Sequence, residues 1–166
     1  MLNRLKCTVF GLLAMVVVFP LTLFAAEPTM DTRAQDTVAI QQLVVKYAHA
    51  YDSLDVEGYV GVFAEDAKFT FTNTTLNGRA DIRKFITDAK QRSASAPAKV
   101  PPTKSFHSLT NTLIEFTGPN TAHHRSYWQM LSGPQGGPFT VTNMGYYDDV
   151  VIKKNGQWLI QTRNIP

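Results

Sequence analysis

Cysteine is almost absent from this chain. The one thiol, Cys7, lies in the N-terminal apolar run, so residues 27–166 carry none. That excludes a disulfide, a thiolate metal site and a cysteine nucleophile from the body of the chain, which must be held by its apolar core. Charge is also sparse: charged residues make up 17% and the formal net charge is +3. Losing Arg4 and Lys6 with the leader would lower that charge by two. No basic stripe interleaved with aromatic residues occurs, so the composition argues against nucleic acid as a partner. A phosphate loop, a dinucleotide fingerprint and a Gly-x-Ser-x-Gly elbow are all missing.

The first 26 residues read as a leader. Arg4 and Lys6 precede Cys7 to Phe24, which is nearly all apolar, and Ala25-Ala26 follow. This order predicts a secretory signal peptide over 1–26 and a secreted or periplasmic domain over 27–166. The run also approaches membrane-spanning length, so an uncleaved anchor is the rival reading.

Residues 27–35 read as a short lead, with Thr32 or Asp36 available to cap a helix. Ile40, Leu43, Val44, Tyr47, Ala48 and Tyr51 then recur at helical spacing. Asp55 can cap a second short helix carrying Val56, Tyr59, Val60 and Phe63, with Glu65-Asp66 at its end. Lys68 to Thr72 reads as a strand, Asn77-Gly78 as a turn, and Ile82, Phe85 and Ile86 mark a third helix. Ser93 to Pro102 is a loop by composition. Beyond it the period changes to two, predicting strands near 104–117, 121–131, 139–153 and 157–165. Gly118-Pro119-Asn120 and Asn155-Gly156 predict antiparallel hairpins, and Ser132 to Pro138 a longer one. Helices first and strands afterwards indicate an α+β domain.

The candidate chemistry lies in Tyr47, Tyr51 and Asp52 at the end of the first helix and in His107 on a later strand. A carboxylate that holds an imidazole is the minimum apparatus for moving a proton on a small organic molecule. Each residue also has a plainer reading. An aspartate at a helix end is often solvated and meets the negative end of the dipole. A strand histidine is often structural, and two tyrosines four apart are often core. Strand alternation puts His107, Leu109, Asn111 and Leu113 on one face. It puts Ala122, His124, Ser126, Trp128 and Met130 on another, with His123 facing away. His123-His124 therefore cannot chelate one ion, and no metal set is visible. Asp148-Asp149 reads as one exposed and one inward carboxylate.

The ordered set Ala39-Ile40-Gln41-Gln42-Leu43, Phe63-Ala64-Glu65-Asp66-Ala67, Leu76-Asn77-Gly78-Arg79, His107-x-x-x-Asn111, Ser126-Tyr127-Trp128, Gly145 to Asp149 and Gly156-Gln157-Trp158 resembles the SnoaL-like branch of the NTF2-like superfamily. The resemblance covers about 36–165. It implies an NTF2-like cone, in which N-terminal helices pack in a strongly curved, mostly antiparallel sheet enclosing an apolar pocket. Characterised relatives such as scytalone dehydratase, hexachlorocyclohexane dehydrochlorinase and bile acid 7α-dehydratase use an Asp–His dyad. Asp52 and His107 match that dyad, and Tyr47 matches a catalytic tyrosine position of the bile acid enzyme. Tyr51-Asp52 resembles the Tyr-Asp pair of the scytalone enzyme, whose second pocket histidine has no counterpart near Ser132.

The implied function is cofactor-independent lyase or isomerase chemistry on a small hydrophobic molecule. Asp52, His107 and Tyr47 would be catalytic, and Tyr51, Asn111, Trp128, His124, Phe63 and Leu109 would contact substrate. Neither a metal nor a cofactor is expected. A non-catalytic periplasmic binding or accessory protein with the same pocket is the alternative, and a polyketide-cyclase-like or epoxide-hydrolase-like enzyme is a third reading. A homo-oligomer, most simply a dimer, is expected from apolar groups such as Tyr127 and Tyr146 on the outer sheet face.

Overall fold

A computed structural model describes residues 29–97 and 103–166, so the expected signal peptide lies outside the described residues. Helix α1 (Met30–Ser53) starts earlier than the sequence suggests because Thr29 is its cap, not Thr32 or Asp36. The Thr29 hydroxyl accepts a hydrogen bond from the Thr32 amide, and Asp31 sits at the positive end of the dipole. Ile40, Leu43, Val44, Tyr47 and Ala48 form the buried stripe. Asp36 is buried in the same helix for a different reason. Its Oδ1 accepts from Lys153 Nζ at 2.7 Å and from Trp158 Nε1 at 2.8 Å, which fastens the helix to strands far along the chain. Leu54 closes α1 in a left-handed conformation, and Asp55 caps α2 (Val56–Gly61) by accepting from the Gly58 amide.

Strand β1 (Phe63–Phe71) begins earlier than expected. Glu65-Asp66 does not end a helix. The pair occupies exposed positions inside the strand, beside a register break between Phe63 and Lys68. A short antiparallel partner, β2 (Thr74–Asn77), was not legible from periodicity because it spans only four residues. Gly78 then opens α3 (Gly78–Ser95) at φ +73°, where a Cβ would lie 3.1 Å from the Glu65 carbonyl oxygen. Ile82 and Ile86 are the buried residues of this helix.

Four strands complete the chain: β3 (Thr103–Gly118), β4 (Thr121–Pro134), β5 (Thr140–Lys154) and β6 (Gln157–Ile165). The sheet order is β2-β1-β6-β5-β4-β3. β1 and β6 run parallel, and every other neighbouring pair is antiparallel. The three helices pack on one face of this α+β sheet. α3 lies on β1 and β2, while α1 reaches both β6 and the edge strand β3. For one helix to touch both, the sheet must curl around it. Register breaks in β1–β6, β3–β4, β4–β5 and β5–β6 supply the bends. The concave side becomes the core, and aromatic residues on it leave a space unfilled.

Candidate active site

The unfilled space is a cavity of about 540 Å³. Its walls come from the end of α1, from α2 and α3, from β1, and from β3, β4, β5 and β6. Tyr47, Tyr51, Tyr59, Phe85, His107 and Trp128 line it, together with Tyr147 and the β5 pair Asn143 and Met144.

Asp52 and His107, 55 residues apart in sequence, meet at one wall. Asp52 Oδ1 lies 2.6 Å from His107 Nδ1, and its Oδ2 accepts the His107 backbone N–H at 2.8 Å. Two bonds from one residue fix both the ring and the strand that carries it. They also compensate a carboxylate in the last turn of a helix, where the dipole disfavours negative charge. The carboxylate can only accept, so Nδ1 carries the proton and the Nε2 lone pair is left for the cavity. The His107 side chain is 8% exposed and that of Asp52 17%. Asp52 stands behind His107 rather than on the cavity wall. Its exposed edge belongs to a second hollow, shared with His49, Phe106 and Leu109 on the rear of the pair.

Tyr51 and Trp128 pack against the imidazole, and Tyr47 and Tyr59 share the same cavity wall. The Tyr51 ring meets the imidazole edge-on, with centroids 5.4 Å apart. Tyr59 donates its hydroxyl proton to the Tyr47 oxygen at 3.1 Å, so the Tyr47 proton is free to be donated onward. A donor that is itself accepting is strengthened by polarisation. Burial raises the phenol pKa of Tyr51, Tyr59 and Tyr147, keeping these hydroxyls protonated above pH 10.

Beneath the tyrosines lies a buried ionic cluster. Arg163 places its guanidinium 3.9 Å from the Tyr47 ring centroid and 4.0 Å from that of Tyr147. Asp149 accepts from Arg163 Nε at 2.8 Å and Nη2 at 2.6 Å, and its Oδ2 lies 2.8 Å from His124 Nδ1. Burial opposes ionisation of both partners, yet each charge holds the other. The Asp149 carboxyl is kept below the usual carboxylate range and Arg163 above its own. The guanidinium is sandwiched between two phenol rings of the cavity wall, and its charge is balanced by Asp149 behind them.

Four expected substrate contacts sit elsewhere. Asn111 is not on the His107 face. It adopts φ +52° at a bulge between Thr110 and Leu113, which breaks the alternation and turns it to the outer face beside Leu113, Arg125, Tyr127 and Tyr146. His124 is on the inner face as expected, but it is fully buried against Asp149 rather than on the wall of this cavity. Phe63 is fully buried against Tyr47 and Tyr59 and is not on the cavity wall. Leu109 borders the rear hollow. Sequence reasoning missed Tyr59, Tyr147, Asn143, Met144 and Arg163 as parts of the site. Tyr59 reads from sequence only as part of the second short helix and Tyr147 only as part of the Gly145 to Asp149 segment, while the inward carboxylate at 149 signals a buried cation such as Arg163.

The SnoaL-like domain family matches residues 32–164. No curated protein matches the chain. Among solved structures, Rv3472 of Mycobacterium tuberculosis, a protein of unknown function, is 28% identical with a TM-score of 0.69, over 86% of this chain and 77% of that one. A Novosphingobium aromaticivorans protein provisionally assigned as a scytalone dehydratase is 22% identical with a TM-score of 0.67, over 82% of this chain and 87% of its own. A Catenulispora acidiphila protein crystallised in complex with S-DNPA is 21% identical with a TM-score of 0.64, over 80% of this chain and 94% of its own. The last two likenesses establish the fold.

Proposed function

The chain belongs to the SnoaL-like domain family, and from that premise we propose that it is a cofactor-independent lyase or isomerase acting on a small hydrophobic molecule. The observation that carries this reading is the Asp52–His107 pair, doubly hydrogen-bonded and presenting one free imidazole nitrogen to an aromatic cavity. His107 Nε2 takes a proton from a carbon activated by a neighbouring carbonyl. The C–H electron pair moves toward the carbonyl oxygen. It then either expels a β-leaving group to form a double bond or is reprotonated at another carbon. Asp52 fixes the tautomer and stabilises the imidazolium that forms. Tyr47 donates a hydrogen bond to the oxygen that gains charge, and the cation behind its ring supports that donation. A relative crystallised with a small ligand supports the cavity as a ligand site. The leader supports action outside the cytoplasm.

The test is a screen of hydroxylated and halogenated alicyclic and aromatic ketones in D₂O, read by NMR as loss of an acidic C–H signal or appearance of an alkene. Turnover that disappears in His107→Ala supports the assignment. Turnover by the His107→Ala, Asp52→Asn double variant at the wild-type rate ends it. Several compounds bound with no exchange and no product would put the non-catalytic binding protein in its place.

A further inference from the structure

We propose that Gly145 sets the width of the cavity, through the indole of Trp128, and so acts as the size-specificity residue of the site. The inference rests on the reading of this cavity as the ligand site. Trp128 on β4 and Gly145 on β5 are direct cross-strand partners on the inner face of the sheet. The indole leans across the glycine. A Cβ built on Gly145 would lie 2.8 Å from Trp128 Cζ2, 3.0 Å from Cε2 and 3.0 Å from Nε1. No side chain can occupy position 145 while the indole stays where it is. Among the described residues the buried indole Nε1 has no hydrogen-bond partner. No polar contact among them offsets that cost, so the pose is held by packing over the glycine.

Neighbouring rings limit where the indole can go. Tyr147 stacks on it at 6.0 Å and 21°, and His107 lies 5.8 Å away. Strand side chains stand roughly perpendicular to the sheet, so a methyl at position 145 pushes inward, along the direction of the cavity that Trp128 lines. The space open to a ring-shaped ligand beside His107 therefore depends on position 145 being glycine. Glycine within a strand often marks such a close approach.

The experiment measures affinity rather than turnover, because a displaced indole also presses on His107. Phenol, 2-naphthol and 1-hydroxypyrene differ in ring count and share one hydroxyl. Their binding to the wild type, Gly145→Ala, Trp128→Phe and the double variant is titrated by ligand-observed NMR. The readout is the ratio of large-probe to small-probe affinity, with thermal unfolding recorded alongside. In Gly145→Ala the ratio should fall about tenfold, the scale of overpacking by one methyl. In Trp128→Phe it should rise, and the double variant should stay near Trp128→Phe, because the clash needs both groups. A soluble Gly145→Ala with an unchanged ratio overturns the proposal. If Gly145→Ala fails to fold, an unchanged ratio in Trp128→Phe alone overturns it. Wild-type protein that binds none of the three overturns the cavity reading and this inference together. A wild type that binds with size preference indifferent to both substitutions overturns this inference alone.

Discussion

At the residue scale the site is a set of side chains that each depend on a neighbour. His107 is oriented by Asp52, and Tyr47 is polarised by Tyr59 from one side and Arg163 from another. Once a substrate is in hand, His107→Ala should lower kcat by about 10²–10⁴-fold, the usual worth of a positioned base. Asp52→Asn should lose a comparable amount by leaving the wrong tautomer. The two losses should not multiply, because they disable one unit. Tyr47→Phe should cost less, with the loss falling on kcat rather than KM if its hydroxyl serves the developing charge. Tyr59→Phe should show a weaker version of the same pattern, since it removes only the polarising donor. Steady-state kinetics on the four variants checks the order. Much of this was legible in the sequence. Asp52, His107, Tyr47 and Tyr51 stood out by residue type and by family resemblance, and Trp128 by strand alternation. Asn111 was misplaced because alternation assumes a regular strand, and a bulge at positive φ is invisible to a two-residue period. Tyr59 was assigned to helix packing, since an amphipathic pattern cannot distinguish a filled core from a lined cavity.

At the element scale the fold is tied together by buried polar contacts that no local pattern announces. Periodicity located the three helices and the four long strands. It could not find β2, which is too short, or the start of β1, where Glu65 and Asp66 resemble a helix end. It also could not show that Asp36 bonds Lys153 and Trp158, or that Asp149 binds Arg163 and His124, because those partners are distant in sequence. The Asp149 cluster joins β4, β5 and β6 under the cavity. Asp149→Ala leaves a guanidinium buried without its counter-charge and should cost about 3–5 kcal/mol, read from urea unfolding at pH 7. The pH dependence has a definite sign. Asp149 and Asp36 have carboxyl pKa values held below the ordinary 3.8 in the folded state. Their stabilisation is therefore present above that value and is lost as pH falls through and below it. Wild-type stability should drop steeply in that acid range, and the drop should be shallower in Asp149→Asn. Equal acid slopes in the two proteins would argue that Asp149 is not ionised in the folded state.

At the scale of the whole molecule, the two faces of the sheet pose opposite problems. The concave face is covered by helices and keeps a cavity. The convex face of β3, β4 and β5 is covered by nothing within the described residues, yet Tyr127 is 55% exposed, Leu113 49% and Tyr146 45%. These three border one shallow hollow with Asn111 and Arg125, so the exposure is contiguous rather than scattered. A contiguous apolar patch rimmed by polar groups is the usual mark of an association surface. Tyrosine at its centre suits a face that is buried in an assembly but wet during folding. A second copy of the chain meets the requirement with no further component, since a two-fold axis through the patch would set Tyr127 and Tyr146 against their own counterparts. We therefore expect a homodimer. Multi-angle light scattering at micromolar concentration should give twice the monomer mass. Tyr127→Glu should shift it to the monomer while leaving the far-ultraviolet circular dichroism unchanged, because the side chain is exposed in the single chain and faces away from the core. The same substitution leaves the cavity untouched, so ligand affinity per chain should persist in the monomer. A wild-type monomer mass across that concentration range would remove the association surface. A dimer indifferent to Tyr127→Glu would move it to another face.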